Sequence, residues 1–216
     1  MSTSPTASSA RKFLLALASC AFLTALAIVF LDRPAATWSY TVLHRPIVCV
    51  WLTYIVNPLP WGAAFGLLSG GAAVGLGWRP GECGKTGLAC CASVAIAITI
   101  KEQLKRAFGR TWPETWTDHN PSWISDHAYG FHPFHGGEGW FSFPSGHTTM
   151  ITAFAAVLWQ RVPSLRWLAV TLVLLVVLGL FGADFHWIGD MIAGAFLGTG
   201  TAVGVVTFSG LRRPAG

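Results

Sequence analysis

Two histidines and an aspartate in the second half of the chain have the side chains and the spacing that phosphoryl transfer requires. His186 and Asp190 are four residues apart and would lie on one face of a helix. The carboxylate can hold one ring N–H of His186, which leaves the other ring nitrogen free to attack phosphorus. His147 follows the residues Pro-Ser-Gly and can donate a proton to the leaving oxygen.

Four further residues are candidates for binding the phosphate itself. Lys105 and Arg110 supply positive charge, and an arginine can bind two phosphate oxygens at once. Ser145 and Gly146 precede an apolar run, so a hydroxyl and free backbone N–H groups can point at an anion at the start of a helix. Alone, these patterns also fit an ordinary helix N-cap, an interfacial polar pair and head-group anchoring by the two cations. Their order and their placement at predicted membrane boundaries favour the catalytic interpretation.

The composition indicates the kind of scaffold that must position these residues. Of the 216 residues, 53% are hydrophobic and only 11% are charged, and the mean hydropathy is +0.54. A soluble domain typically carries about 25% charged residues, so this chain is suited to an apolar solvent. The net charge of +5 comes from short basic clusters between apolar runs, which indicates membrane topology and anionic head groups rather than a nucleic-acid partner. The five cysteines show no metal-binding spacing.

The apolar runs predict an all-α fold, an integral membrane bundle of about six transmembrane helices in a single domain over residues 1–216. Residues 1–10 are predicted to be disordered. The first run is long enough to span a bilayer and has no small-x-small cleavage site, so we expect a retained helix rather than a signal peptide. The stretch 32–45 is predicted to lie at the membrane interface, and 47–56 to form an interfacial or partly inserted helix that ends at Asn57-Pro58. The predicted spans are 13–31, 61–78, 86–100, 148–159, 167–181 and 191–208.

The distribution of basic residues predicts the orientation of this bundle. With the N-terminus inside, eight of the fourteen lysines and arginines lie on the inner side. They are Arg11, Lys12, Arg79, Lys85, Arg161, Arg166, Arg212 and Arg213. Both termini are then cytoplasmic, and the candidate site lies on the outer face, with 101–147 as its active-site loop. In a bacterium this would be the periplasmic face of the inner membrane.

The motifs resemble those of the type-2 phosphatidic acid phosphatases, which are relatives of the vanadium haloperoxidases. The family pattern is a lysine, six residues and Arg-Pro; then Pro-Ser-Gly-His; then Ser-Arg, five residues, His, three residues and Asp. Residues 144–147 match the middle element, and His186 and Asp190 match the last. The resemblance runs from about Lys101 to Gly198 and includes the six-span order. It implies that His186 forms a phosphohistidine, that Asp190 orients it, that His147 is the general acid and that no metal or other cofactor takes part.

The sequence departs from the family pattern at two phosphate-binding arginines. Counting from Lys105, the first arginine position is Trp112, and counting back from the nucleophile, the Ser-Arg positions are Gly179 and Leu180. Arg110 could replace one arginine, with Arg106 as a weaker candidate. Each lost charge-assisted hydrogen bond would weaken phosphate binding by roughly 1.5–3 kcal/mol.

The segment 118–138 is rich in histidine and aromatic residues. His132 and His135 are the tightest pair that could bind a metal, but such clusters in loops more often face solvent, so we predict no metal site. The aromatic residues are expected to form a lid on the bilayer surface, with Trp123 and Phe134 as candidates for guiding a lipid tail. Asp184 could bind a proton or pair with Arg110.

The function predicted from these observations is hydrolysis of a phosphomonoester or pyrophosphate on a membrane lipid. Candidate substrates are phosphatidate, phosphatidylglycerol phosphate, polyprenyl pyrophosphate and lipid A phosphates. One alternative is a phosphotransferase that passes the phosphoryl group from His186 to a second lipid. Another is a non-catalytic protein that binds or carries phospholipid, which the missing arginines favour and the His147, His186 and Asp190 set opposes. A haloperoxidase is less consistent, because those enzymes are soluble and larger.

Overall fold

The structure is a computed structural model that describes residues 5–116 and 119–211, and these form an all-helical bundle. Within these described residues, five stretches are long and apolar enough to cross a membrane, and the shorter helix α7 packs among them. The helices are α1 (Pro5–Leu26), α2 (Asp32–Trp38), α3 (Ile47–Thr53), α4 (Pro58–Gly75), α5 (Glu82–Phe108), α6 (Trp123–Asp126), α7 (Gly146–Arg161), α8 (Arg166–Gly182) and α9 (Ile188–Phe208).

The first span is longer than the sequence predicts. Two π-helical stretches, Ala27–Leu31 and Ser39–Leu43, join α1 and α2 into one continuous helix up to Leu43. The stretch from residue 32, which the sequence predicts to lie at the membrane interface, is helical up to Leu43 and holds Asp32 in the protein interior, where it is 1% exposed. The helix begins at Pro5, within the segment for which the sequence predicts disorder, and residues 1–4 lie outside the described residues.

The second span also begins earlier than predicted. Helix α3 packs with one face against α8, whereas Ile47, Val48 and Trp51 on its other side are more than half exposed. A Cβ atom added at Gly179 would lie 2.7 Å from the carbonyl oxygen of Cys49, so only glycine permits this approach. Pro58 sits in the first turn of α4, where its missing N–H breaks no helical bond. A 3-10 turn, Tyr54–Val56, and the turn residue Asn57 separate α3 from α4, which confirms the predicted end of the short helix at Asn57-Pro58. Together the two helices form one stretch, Ile47–Gly75, that is long and apolar enough to cross a membrane.

Close packing of α7 against α9 sets the position of the candidate site. A Cβ atom at Gly194 would lie 2.7 Å from the carbonyl oxygen of Ser145, so the glycine lets the two backbones meet. At the start of both helices, the Ser145 N–H donates to the carbonyl oxygen of Asp190 at 3.0 Å. On the other side of α7, the Ser93 hydroxyl of α5 donates to the carbonyl oxygen of Ala153 at 2.9 Å.

Helix α5 extends to Phe108, two turns beyond the predicted span 86–100, and therefore carries Lys101 and Lys105 on a helix rather than in a loop. Gly109 ends α5 with a positive φ of 57°, and the chain then folds over this end of the bundle. Isolated bridges join Arg110 to Phe131 and to Phe141. The end of α5 and the starts of α7 and α9 thus meet beneath one folded loop.

Candidate active site

A cavity of about 450 Å³ lies where the end of α5 meets the start of α7 and the turn before α9. Its charged and titratable wall residues are Tyr54, Lys101, Glu102, Lys105, Glu138, His147 and His186. A larger cavity of about 680 Å³ between α4, α5 and α7 has a mostly apolar wall without histidine or lysine. The larger cavity is also lined by Arg161 and Glu82, but these two pair with each other. Because histidines and lysines converge only on the smaller of these two cavities, we place the candidate site there.

His186 is held by Asp190 on the turn that leads into α9. Nδ1 of His186 lies 3.3 Å from Oδ2 of Asp190, and the Trp187 N–H donates to the same oxygen at 3.3 Å. Burial lowers the pKa of His186, with Lys105 and Lys101 acting in the same direction against the opposing effect of Asp190. The ring is therefore neutral near pH 7, and Nε2 is the nitrogen that Asp190 leaves unoccupied.

His147 faces the same cavity from the first turn of α7. The ring centroids of His147 and His186 are 6.4 Å apart, with the planes inclined at 62°. Both rings line the same cavity. The structure thus brings together the two histidines that the sequence predicts as nucleophile and general acid.

Two lysines of α5 supply the positive charge on the cavity wall. Lys105 donates to the carbonyl oxygen of Phe141 and lies 5.4 Å from the Trp112 ring centroid. Lys101, one turn earlier, pairs with Glu102, and both lysines are only 8% exposed. Sequence reasoning missed Lys101, because the family motif is counted from Lys105. The four-residue spacing of the two lysines on one helix was the signal that could have found it.

Gly146 lies directly against Lys101. A Cβ atom at Gly146 would lie 3.3–3.4 Å from the last three atoms of the lysine side chain. Because this is tighter than ordinary van der Waals contact, glycine is the residue that best accommodates the lysine at the start of α7. Gly146 also lines the cavity, and phosphate binding by its backbone N–H stays a prediction.

Ser145 is placed differently from the expectation for its hydroxyl. Oγ accepts from the Thr148 N–H at 3.4 Å and lies 3.1 Å from the Thr148 hydroxyl, so it caps α7. The residue is fully buried and does not line the cavity. The N-cap interpretation therefore describes Ser145 better than direct phosphate contact.

Arg110 is also placed away from the cavity. Nη1 lies 2.5 Å from Oδ1 of Asp190 and Nη2 lies 2.5 Å from Oδ2 of Asp32, and all three side chains are 0% exposed. Burial lowers the pKa of Arg110, but the two carboxylates outweigh it and raise the pKa above its usual value. The expectation that Arg110 binds phosphate directly is thus corrected, because both terminal nitrogens already have carboxylate partners. Sequence reasoning missed Asp32, for which a carboxylate inside the first apolar helix was the signal.

The positions of the two missing arginines differ in character. Trp112 lies on the cavity wall with its ring centroid 5.0 Å from that of His186, and its Nε1–H donates to the carbonyl oxygen of Glu138 at 2.9 Å. Leu180 is fully buried in an apolar cluster with Val176 and Met191 and does not line the cavity. The first arginine position is therefore an aromatic part of the cavity wall, and the second is part of the hydrophobic core.

The histidine-rich segment does not gather around the cavity. His132 and His135 pack against the Trp140 ring, with centroid distances of 4.3 and 4.1 Å. Among residues 5–116 and 119–211, no three His, Cys, Asp or Glu side chains converge on a point that could hold a metal ion. In the predicted lid, Trp123 donates to the Thr37 hydroxyl at 3.0 Å, whereas Phe134 is 82% exposed.

Asp184 is buried near the cavity without pairing with Arg110. Burial, with a smaller contribution from Glu114, raises the pKa of Asp184 to about 7 against opposing effects of Ser39 and Arg45. Oδ2 has no hydrogen-bond partner. Of the two roles that the sequence leaves open, this environment supports proton binding.

Comparison with known proteins identifies what this chain is similar to. The family model described as "PAP2 superfamily" matches residues 86–214, more than half of the chain. Proteins named "Lipid A 1-phosphatase" from Rhizobium johnstonii and Rhizobium etli are each 35% identical over 114 residues. These matches cover 49% of this chain and 41% and 43% of the two relatives, so the chain matches less than half of each relative's length. No solved structure matches the chain.

Proposed function

This chain belongs to the PAP2 superfamily, and we propose that it is a membrane lipid phosphatase that acts through a phosphohistidine on His186. The observation that carries the proposal is the cavity in which His147, His186, Lys101 and Lys105 converge. A protein that only binds phospholipid needs charge, but it does not need a buried His–Asp pair opposite a second histidine. The structure thus supports the non-catalytic alternative, a protein that only binds or carries phospholipid, less well than the sequence alone does.

The first chemical step is transfer of the phosphoryl group to the enzyme. Nε2 of His186 attacks phosphorus while the bond from phosphorus to the lipid oxygen breaks. His147 gives its proton to that oxygen, and the lipid leaves as an alcohol. A bound phosphate dianion beside His147 favours the protonated ring that this step requires. Asp190 holds the Nδ1–H and balances the charge that develops on the His186 ring.

The second step regenerates the enzyme. A water molecule attacks phosphorus, His147 accepts the water proton, and the phosphorus–nitrogen bond breaks. Inorganic phosphate leaves, and His186 returns to its neutral form. If a second lipid hydroxyl takes the place of water, the same geometry performs phosphotransfer, so the acceptor alone separates these two activities.

Lys101 and Lys105 would take over the role of the missing arginines. Both ammonium groups lie on a buried wall, where a charge interacts with phosphate more strongly than it does in water. A lysine acts as a point charge and does not form the two-pronged contact of an arginine. The site should therefore bind the terminal phosphate mainly through charge, while Trp112, Trp116 and Phe185 offer apolar surface to the rest of the substrate.

Among the candidate substrates, a lipid A type phosphate is the first to test, because both relatives carry the name "Lipid A 1-phosphatase". We place the protein in the bacterial inner membrane, with both termini in the cytoplasm and the site on the periplasmic face. The basic clusters support this orientation. The apolar helices support the membrane assignment.

The proposal is tested by measuring phosphate release from the detergent-purified protein over a panel of lipid phosphates and pyrophosphates. His186→Ala and His147→Ala are measured in parallel, with and without EDTA. We expect release that survives EDTA and is lost in both variants. Release that both variants retain would reject this site. A folded protein that releases phosphate only after a lipid acceptor is added would be the phosphotransferase instead.

A further inference from the structure

Three charged side chains from three parts of the chain form one buried network behind the cavity. Arg110 lies between Asp32 and Asp190, with both nitrogen–oxygen distances at 2.5 Å and no exposed side-chain surface on any of the three. Oδ1 of Asp32 also accepts the Gly189 N–H at 2.8 Å. Asp32 therefore contacts both the arginine and the first turn of the helix that carries Asp190.

The network fixes the direction of the Asp190 carboxylate. Oδ1 is held by Arg110, whereas Oδ2 faces Nδ1 of His186 and the Trp187 N–H. Rotation of this carboxylate would break the Arg110 contact as well as the His186 contact. Because the arginine is itself held by Asp32, the orientation of the His186 ring depends on a residue of the first helix.

Aromatic rings surround the guanidinium group of the network. The Arg110 guanidinium carbon lies 4.9–5.3 Å from the ring centroids of Tyr129, Phe131 and Trp187. The Tyr129 hydroxyl accepts from Arg110 at 3.0 Å and donates to the carbonyl oxygen of Ile28 at 2.6 Å. Burial raises the pKa of Tyr129 to about 12, so the hydroxyl keeps its proton and the loop stays tied to the first helix.

We propose that Asp32 and Arg110 are positioning residues that act on His186 through Asp190, so that the first helix completes the active site. This inference rests on the proposed function for the role of His186. It extends that proposal beyond the matched family region, because Asp32 lies outside residues 86–214. Neither residue touches the substrate cavity.

The charge of the network distinguishes this role from simple packing. Lys101 and Lys105 of α5 and His147 of α7 face His186 from the other elements, and all three are basic. Asp190 is the acidic group that faces it. Two carboxylates and one guanidinium give the network a net charge of −1, which Asp32→Asn would change to zero. Removing Arg110 as well, in Asp32→Asn/Arg110→Met, restores −1.

The test compares Asp32→Asn, the double variant and Ser39→Ala with the wild-type protein. Ser39 is the matched control, because it is a buried polar residue of the same helix whose hydroxyl contacts α8 at Phe181 instead of the network. The His186 ring is titrated by ¹⁵N NMR in detergent, with His186→Ala to assign its signal, and kcat and KM are measured on the best lipid phosphate.

We expect Asp32→Asn to lower the His186 titration midpoint by about one pH unit. It should also reduce kcat by roughly 10- to 100-fold, with KM changed less than about twofold. The double variant should return the midpoint toward the wild-type value while kcat stays low, because charge is restored but orientation is not. Ser39→Ala should change neither quantity.

An unchanged midpoint in Asp32→Asn would overturn the inference, and so would a midpoint in the double variant that moves further from the wild-type value. The double variant leaves no unpaired buried arginine, so it remains informative if Asp32→Asn fails to fold. The NMR titration needs no turnover. If the wild-type protein releases no phosphate, the proposed function is rejected. The present inference is then still tested by the His186 titration midpoints.

Discussion

Replacing Lys101 by methionine tests whether this residue supplies the phosphate-binding charge that the missing arginines supply elsewhere in the family. Methionine keeps most of the length and apolar contact of the lysine stem, including the contact with Gly146, and removes the charge. The change therefore isolates the ammonium group. Lys101 is only 8% exposed and lies on the same wall as Lys105, His147 and His186.

The expected size of the effect follows from the burial of the ammonium group. A charge-assisted hydrogen bond contributes roughly 1.5–3 kcal/mol. At about 1.4 kcal/mol per factor of ten, its loss should lower kcat/KM by roughly 10- to 150-fold. If Lys101 holds the phosphate equally in the ground state and the transition state, most of the loss appears in KM. The contact with Glu102, which is partly exposed, offsets some of the effect.

The assay is steady-state phosphate release with inorganic phosphate as a product inhibitor. Lys85→Met is the matched control, because Lys85 also pairs with a glutamate of α5, Glu82, but lies at the other end of the bundle with 44% of its side chain exposed. Lys101→Met should weaken inhibition by phosphate along with kcat/KM, whereas Lys85→Met should change neither. A Lys101→Met enzyme within twofold of wild type in both measurements would refute this account of phosphate binding.

Three further predictions concern Gly146, Asp184 and the membrane topology. Gly146→Ala should lower kcat/KM by about 10- to 100-fold, because the new methyl group displaces Lys101. The control is Gly87→Ala, because a methyl group at Gly87 of α5 points into open space. Equal activities of the two variants would contradict the contact between Gly146 and Lys101. Asp184→Asn should raise the thermal unfolding midpoint at pH 8 more than at pH 5. Folded Asp184 keeps its proton up to about pH 7, whereas the carboxyl of the unfolded chain loses it near pH 4. The wild-type protein therefore loses stability as the pH rises through this window, and asparagine removes that loss. An equal change at both pH values would argue against the raised pKa. In the proposed topology Cys83 lies on the cytoplasmic side and His44 on the periplasmic side. Cys83 should therefore resist a membrane-impermeant maleimide in spheroplasts, whereas a cysteine introduced by His44→Cys in a Cys83→Ser background should react. The reverse pattern would show that the topology is inverted.

The sequence was sufficient to predict the family and the all-helical membrane bundle, because both depend on local features. The long apolar runs could only be buried in lipid or in one another, and the Pro-Ser-Gly-His and His–Asp spacings bring specific side chains to helix starts. The same spacings predicted that His147 and His186 would share a site, and the structure brings them to one cavity wall.

What sequence reasoning could not predict depends on contacts between distant residues. Arg110 looked like a phosphate ligand because it is close in sequence to Lys105, but two carboxylates that are 78 and 80 residues away take its nitrogens. Asp32 was assigned to an interfacial stretch, because that stretch is polar and contains Trp38 and Tyr40, which suit a membrane interface. The helix continues past it, since Arg110 and the Gly189 N–H satisfy the carboxylate inside the protein.

The last three predicted spans agree with α7, α8 and α9 to within three residues, but the earlier ones end at different residues for a related reason. Helix α5 carries a polar last two turns because Lys101 and Lys105 face a cavity and not lipid. Hydropathy alone ends such a helix at the first lysine. Likewise, the helix containing Cys49 is too short to span a bilayer by itself, and its place in the bundle depends on the close approach that Gly179 allows.

The most direct test of the central claim is to trap the covalent intermediate. A ³²P-labelled lipid phosphate is mixed with the enzyme, quenched in alkali within one turnover, and the labelled peptide is identified by mass spectrometry. The account predicts a phosphohistidine at His186 that is stable to base, is lost on acid treatment and is absent from His186→Ala. Turnover of the same substrate without label on the enzyme, or with label on another residue, would contradict it.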